Sequence, residues 1–116
     1  MARHNDLGKK GEQIATDFLI NNGATILQRN WRFLRAEIDI VFLDGNTLVL
    51  AEVKTRSSTA YGKPEEFISN KKISLYLEAA EEYLKQNEMD NEIRFDIISV
   101  LCYSEEPIIK YIKDAF

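Results

Sequence analysis

Apolar and polar positions follow two periods along this chain, and the change from one to the other marks its elements. In "DLGKKGEQIATDFLINN", residues 6–22, Leu7, Gly11, Ile14, Ala15, Phe18 and Leu19 recur at the spacing of one helix face, and Gly23 stands where a helix-ending glycine belongs. Gln13, Thr16, Asp17 and Asn21 fall on the wet side. Glu12 precedes Ala15 by three and Leu19 by seven, so it comes to the face that meets the core. Two readings apply to a carboxylate there: the edge of the apolar stripe, where the first turn suits negative charge, or a functional group.

The period then becomes two. Residues 24–33, "ATILQRNWRF", predict a first strand and 36–43, "AEIDIVFL", a second. "LDGNT" is a tight-turn signal that predicts a hairpin into a third strand, 47–55. The polar stretch "RSSTAYGKPEEF" predicts a loop, followed by a helix from Pro64 or Ser69 to Asn87 with an apolar face of Ile73, Tyr76, Leu77, Ala80, Tyr83 and Leu84. "EIRFDIISVLCY" predicts a fourth strand, and "IIKYIKDAF" a short edge strand ending in an apolar plug. A right-handed strand, helix, strand crossover makes strands three and four parallel. The predicted class is α/β, a mixed sheet of five strands flanked by helices in the order αβββαββ.

The hairpin fixes which side chains share a face. With Gly45 and Asn46 as the loop, paired positions sum to 91 and Asp39 faces Glu52; with Asp44 and Gly45, the sum is 89 and Glu37 faces Glu52. Either odd sum puts Glu37, Asp39, Val41 and Leu43 on one face with Leu48, Leu50, Glu52 and Lys54, and Ile38, Ile40 and Phe42 on the other with Val49, Ala51 and Val53. Both faces are largely apolar, so both are expected to be covered. Carboxylates at one end of a covered face need compensation, and Lys54, on the same face, supplies one positive charge against three negative. A divalent cation would balance the set, and oxygen ligands indicate Mg²⁺ or Mn²⁺. The competing reading has these acids emerge into solvent and pair with Lys54, Arg32 or Arg35.

Composition alters this picture only in part. A chain of 116 residues amounts to about one domain, here 1–116. The net charge of −4 argues against a nucleic-acid partner. It is unevenly spread, however: residues 1–72 carry eleven Lys or Arg against nine Asp or Glu, a net +2, and residues 73–116 carry four against ten, a net −6. Cys102 is alone, which excludes an internal disulfide and a cysteine metal cluster, and "SVLCY" reads as core. With no ~20-residue apolar run and no apolar segment after the basic N-terminal residues, the expected compartment is the cytoplasm, with no membrane partner.

An acid on the first helix, an Asp in strand two and Glu-x-Lys in strand three resemble the PD-(D/E)xK nuclease superfamily, with its restriction-endonuclease-like three-layer fold. More closely, "GKKGEQIATDFL", "ILQRNWR", "EIDIVFLDGNTLVLAEVKTR", "YGKPEEFI", "RFDIISV" and the closing "DAF" resemble the YraN-like family of small uncharacterised bacterial proteins over nearly the full length. Ala36 stands where that pattern has Gly. Motif order and size are also similar to archaeal Holliday-junction resolvases, which implies a homodimer. The resemblance implies a Mg²⁺- or Mn²⁺-dependent endonuclease acting on DNA, structured or branched DNA included. Asp39, Glu52 and the backbone carbonyl of Val53 would hold the metal, Glu12 would assist, and Lys54 would orient water or stabilise charge on phosphate. Glu37 would stand one pleat away. Arg29, Arg32, Arg35, Arg56, Lys63, Lys71 and Lys72 are the candidate phosphate contacts and Tyr61 a stacking group. A non-catalytic nucleic-acid or protein adaptor on the same fold is the alternative.

Overall fold

The turn at Gly45 and Asn46 sets the centre of the sheet. Gly45 takes a φ of +62°, which glycine adopts without the steric penalty of a Cβ. The computed structural model describes residues 2–57, 68–102 and 105–116. From the turn, β2 (Ala36–Asp44) and β3 (Thr47–Arg56) pair antiparallel from Asp44 opposite Thr47 to Ile40 opposite Ala51, the register that sums to 91. β1 (Thr25–Phe33) adds antiparallel to β2. On the other side of β3, β4 (Ile93–Leu101) is parallel and β5 (Ile108–Ile112) is the antiparallel edge. The sheet order is β1-β2-β3-β4-β5, and with α1 (Ala2–Asn21) and α2 (Asn70–Gln86) the chain runs αβββαββ as expected.

The two helices cover opposite faces. On the α1 side, Ala15 and Leu19 pack with Ile40, Phe42, Val49, Ala51, Ile98 and Val100. On the α2 side, Tyr76, Ala79, Ala80 and Tyr83 pack with Val41, Leu48, Leu50 and Phe95. Burying apolar area on both faces is what makes the central strands near-continuous hydrophobic runs. Ser69 caps α2 by accepting a hydrogen bond from the Lys72 N–H, so the helix begins at the later of its two predicted starts. The C-terminal plug is formed by Phe116, whose ring lies 5.3 Å from those of both Phe95 and Tyr76. No helix among the described residues is long and apolar enough to cross a membrane.

Several expectations are corrected. α1 starts at Ala2 rather than residue 6. Thr16, placed on the wet side, is buried, its hydroxyl donating to the Glu12 carbonyl one turn back. Leu77 is 45 % exposed and Ala79 takes its place on the packed face of α2, a shift of about half a turn. Cys102 is half-buried at the end of β4 rather than fully in the core.

The most consequential correction concerns β2. Ile38 does not share a face with Ile40 and Phe42. It packs on the α2 side with Val41, Leu48 and Leu50, so the alternation slips by one between Ile38 and Ile40. The slip falls at Asp39, just where pairing with β3 ends. Facing it in the β1 register, Asn30 takes a φ of +53°. Such an irregularity re-aims a side chain that a regular pleat would commit to one face. Asp39 thereby borders the cavities on both sides of the sheet.

Candidate active site

The acidic end of the sheet is assembled from three elements. α1 carries Glu12, β2 carries Asp39 and β3 carries Glu52, with Lys54 two residues on. α1 comes close enough because Gly11 has no side chain: a Cβ there would stand 1.9 Å from Thr55 Oγ1, on the residue after Lys54. Glu52 is 9 % exposed and Asp39 half-buried.

Each carboxylate has a protein partner. Glu12 Oε1 accepts from Arg29 Nη2 at 3.1 Å and from Asn30 Nδ2 at 2.8 Å. Asp39 Oδ2 accepts from the Val53 N–H at 2.7 Å, closing the gap where the β2–β3 ladder stops. Glu52 Oε1 accepts from the Lys72 ammonium, and Lys54 Nζ stands 3.7 Å from the same oxygen. Glu52 Oε2 is buried without a hydrogen-bond partner among the described residues. The expected shortage of positive charge is therefore overturned. Arg29, Lys54 and Lys72 give three cations against Glu12, Asp39 and Glu52, because α2 and β1 bring bases to this end of the sheet.

Compensation remains incomplete at Asp39. Its pKa is pushed up to about 6, first by burial and then by the Glu12 and Glu52 charges, against the lowering influence of the Val53 N–H and Lys72. A carboxylate with a raised pKa, beside a second whose buried Oε2 has no partner among the described residues, is a donor pair suited to a hard divalent cation. Among the described residues, no three acidic, histidine or cysteine side chains converge on one point. Two carboxylates and water fit Mg²⁺ or Mn²⁺; a closed three-carboxylate cage is not formed, since Glu12 is held by Arg29 and Asn30.

The remaining sequence candidates are dispersed around this end of the sheet. Arg35, Lys71 and Lys72 line a cavity of about 320 Å³ on the α2 side, together with Glu37, Asp39, Glu52 and Ser69. Arg29 lies on the α1 side, paired with Glu12 and Gln13. Arg32 pairs with Glu37 at the exposed surface, and both line a smaller cavity that Asp39 also borders. The Glu37 backbone carbonyl also accepts from the Tyr76 hydroxyl. Arg56 ends β3. Tyr61 and Lys63 lie outside the described residues.

Sequence reasoning missed Asn30, whose positive φ within a strand left no signal beyond the Asn itself, a residue type that tolerates that region. It also missed that Lys72, taken only as a phosphate contact, reaches Glu52.

The model of "Uncharacterised protein family UPF0102" matches residues 11–100. Similar relatives include a UPF0102 protein of Flavobacterium psychrophilum, 49 % identical over 116 residues, all of this chain and 98 % of the relative. Others are UPF0102 proteins of Bacteroides thetaiotaomicron, 45 % identical, and Christiangramia forsetii, 44 % identical, each over the whole of this chain and 96 % and 98 % of the relative.

Proposed function

The chain belongs to the uncharacterised protein family UPF0102, and we propose that it is a metal-dependent endonuclease of the PD-(D/E)xK type, hydrolysing phosphodiester bonds in DNA. The observation that carries this reading is that Asp39, with its raised pKa, and Glu52, with one oxygen unsatisfied among the described residues, line one cavity at the end of a sheet that also presents Lys54.

In this reading Asp39 and Glu52, with the Val53 carbonyl, hold Mg²⁺ or Mn²⁺. The ion, when bound, supplies Lewis acidity at phosphate and a more acidic water. The chain's own residues do the rest. Val53 N–H fixes the Asp39 carboxylate. Lys54, on the strand face of Glu52, is placed to hold an attacking water or a phosphate oxygen. Arg35 and Lys71, on the wall of the adjoining cavity, offer charge to the neighbouring phosphates. Contacts of this kind, to the backbone rather than to bases, fit recognition of shape, branched DNA included.

A non-catalytic nucleic-acid-binding adaptor is favoured by one observation: Arg29, Lys54 and Lys72 already neutralise the three acids. Cleavage separates the two. Labelled single-stranded, duplex, flapped and four-way-junction DNA, and RNA, are incubated with the chain in Mg²⁺ or Mn²⁺. Wild type is expected to cut a DNA substrate, and Glu52→Ala and Lys54→Ala to lose at least about a hundredfold in rate while staying folded. No cutting by wild type, with metal-independent DNA binding, would establish the adaptor.

A further inference from the structure

Lys72 is the feature of this site that its proposed chemistry leaves unused. It projects from the first turn of α2 across to β3, and its ammonium donates to Glu52 Oε1. The same charge acts on Asp39. Lys54 is farther from that oxygen, at 3.7 Å. An ammonium that acts on both carboxylates proposed to hold a cation occupies the electrostatic position of that cation. As a single point donor it satisfies Glu52 Oε1 and leaves Oε2 without a partner among the described residues.

We infer that Lys72 is a built-in occupant of the metal site: it neutralises Glu52 in the metal-free chain and must yield that carboxylate when a divalent cation binds. This rests on the metal reading above and extends it to regulation. With Lys72 on Glu52, the group formed by Asp39, Glu52, Lys54 and Lys72 has no net charge. A bound cation adds two positive charges and frees an ammonium at the rim of the cavity that Arg35 and Lys71 already line. The cavity then attracts phosphate only in the loaded state. Metal binding and nucleic-acid binding are thereby coupled through one side chain, each favouring the other.

The test is calorimetric titration of the full chain with MnCl₂ at constant ionic strength, for wild type, Lys72→Met, Lys71→Met and Glu52→Gln. Methionine keeps much of the lysine stem and removes the charge, and folding is followed by thermal unfolding. Lys71 supplies the control, because it lines the same cavity without touching Glu52 in the structure. Lys72→Met is expected to bind Mn²⁺ about tenfold more tightly than wild type, the size of one charge-assisted hydrogen bond no longer in competition. Lys71→Met is expected to change affinity by less than about threefold, the scale of a screened neighbouring charge. Glu52→Gln is expected to abolish binding. Equal gains in the two lysine variants would overturn the occupancy and leave only a general field effect. Weaker binding in Lys72→Met would also overturn it, assigning Lys72 the opposite task of holding Glu52 in place for the ion. In both of those cases wild type still binds Mn²⁺ and the metal reading stands. Absence of binding in both wild type and Lys72→Met would remove the metal reading itself.

Discussion

Asp96→Ala is expected to destabilise the protein by about 3 to 5 kcal/mol, the cost of removing one partner from a buried ion pair. Asp96 is fully buried in β4, and its carboxylate collects four donors. Arg94 contributes Nε and Nη2, each at 2.9 Å, the Asp114 N–H lies at 2.9 Å, and the Tyr111 hydroxyl completes the set. Donation to the Asp96 carboxylate is the main cause that holds the Arg94 pKa above its ordinary value. Without Asp96, Arg94 keeps one carboxylate, Asp44 at 2.9 Å from Nη2, and the Tyr111 hydroxyl at 3.3 Å, while the Tyr111 O–H and the Asp114 N–H lose an acceptor. The same network ties β5 and the C-terminal segment to β4, reinforced by the Ala115 N–H on the Phe95 carbonyl at 2.7 Å. The loss is therefore expected to free the Phe116 plug as well. Urea unfolding measures it. Since single domains of this size are stable by about 5 to 15 kcal/mol, a fall of 3 to 5 moves the midpoint markedly. A change below about 1 kcal/mol would show that the network contributes little.

The second large effect is at Gly11. Gly11→Ala is expected to cost about 3 kcal/mol, the upper range of overpacking, because the new Cβ would meet Thr55 Oγ1, Cγ2 and Cβ at 1.9, 2.5 and 2.7 Å. These are atoms at the root of a short branched side chain on a central strand, so α1 itself must move. Glu12, the next residue, moves with it. Gly8→Ala, three residues earlier on the same helix, meets nothing within 4 Å and is expected to stabilise by about 0.5 to 1 kcal/mol through helix propensity alone. Opposite signs in one unfolding experiment identify contact with β3, rather than helix content, as the reason for glycine at 11. Equal signs would refute it.

Much of the architecture was legible in the sequence because period and turn chemistry agree. The alternation on either side of Asp44 to Thr47, with a turn glycine, fixed the strands and left two registers, and the structure takes the one summing to 91. The apolar face of α1 was legible for the same reason. The slip at Asp39 was not, since it depends on where the β2–β3 ladder ends and on the Val53 N–H finding a side-chain acceptor there. Both are tertiary events without a local signature. The three acids were visible as charges in apolar runs. Their neutralisation was not, because Arg29 and Lys72 reach Glu12 and Glu52 across sequence separations of 17 and 20 residues. Arg94 and Asp96 illustrate the limit from the other side: opposite charges two apart in a strand share a face and were readable as a pair, but their burial depends on β5 and the C-terminal residues.

The central claim is that the acidic end of the sheet is a cation site, and Asp39 gives it a sign that can be measured. Its folded pKa of about 6 lies above the ordinary 3.8, so the folded state binds the proton more tightly than the unfolded chain. The stability this provides is fully present below pH 3.8 and lost as pH rises through 6. Above that, an ionised Asp39 costs on the order of 3 kcal/mol in the metal-free protein. Asp39→Asn, which can still accept from the Val53 N–H, is expected to recover that amount at pH 8 and almost none near pH 4. A cation that binds the ionised carboxylate should act in the opposite direction. The decisive measurement is the thermal unfolding midpoint with and without MnCl₂, at pH 5 and pH 8, for wild type and Asp39→Asn. The predicted result is a Mn²⁺-induced rise in wild type that is larger at pH 8 than at pH 5 and absent from Asp39→Asn. An equal rise in both proteins, or none in wild type at either pH, would contradict a cation site at Asp39.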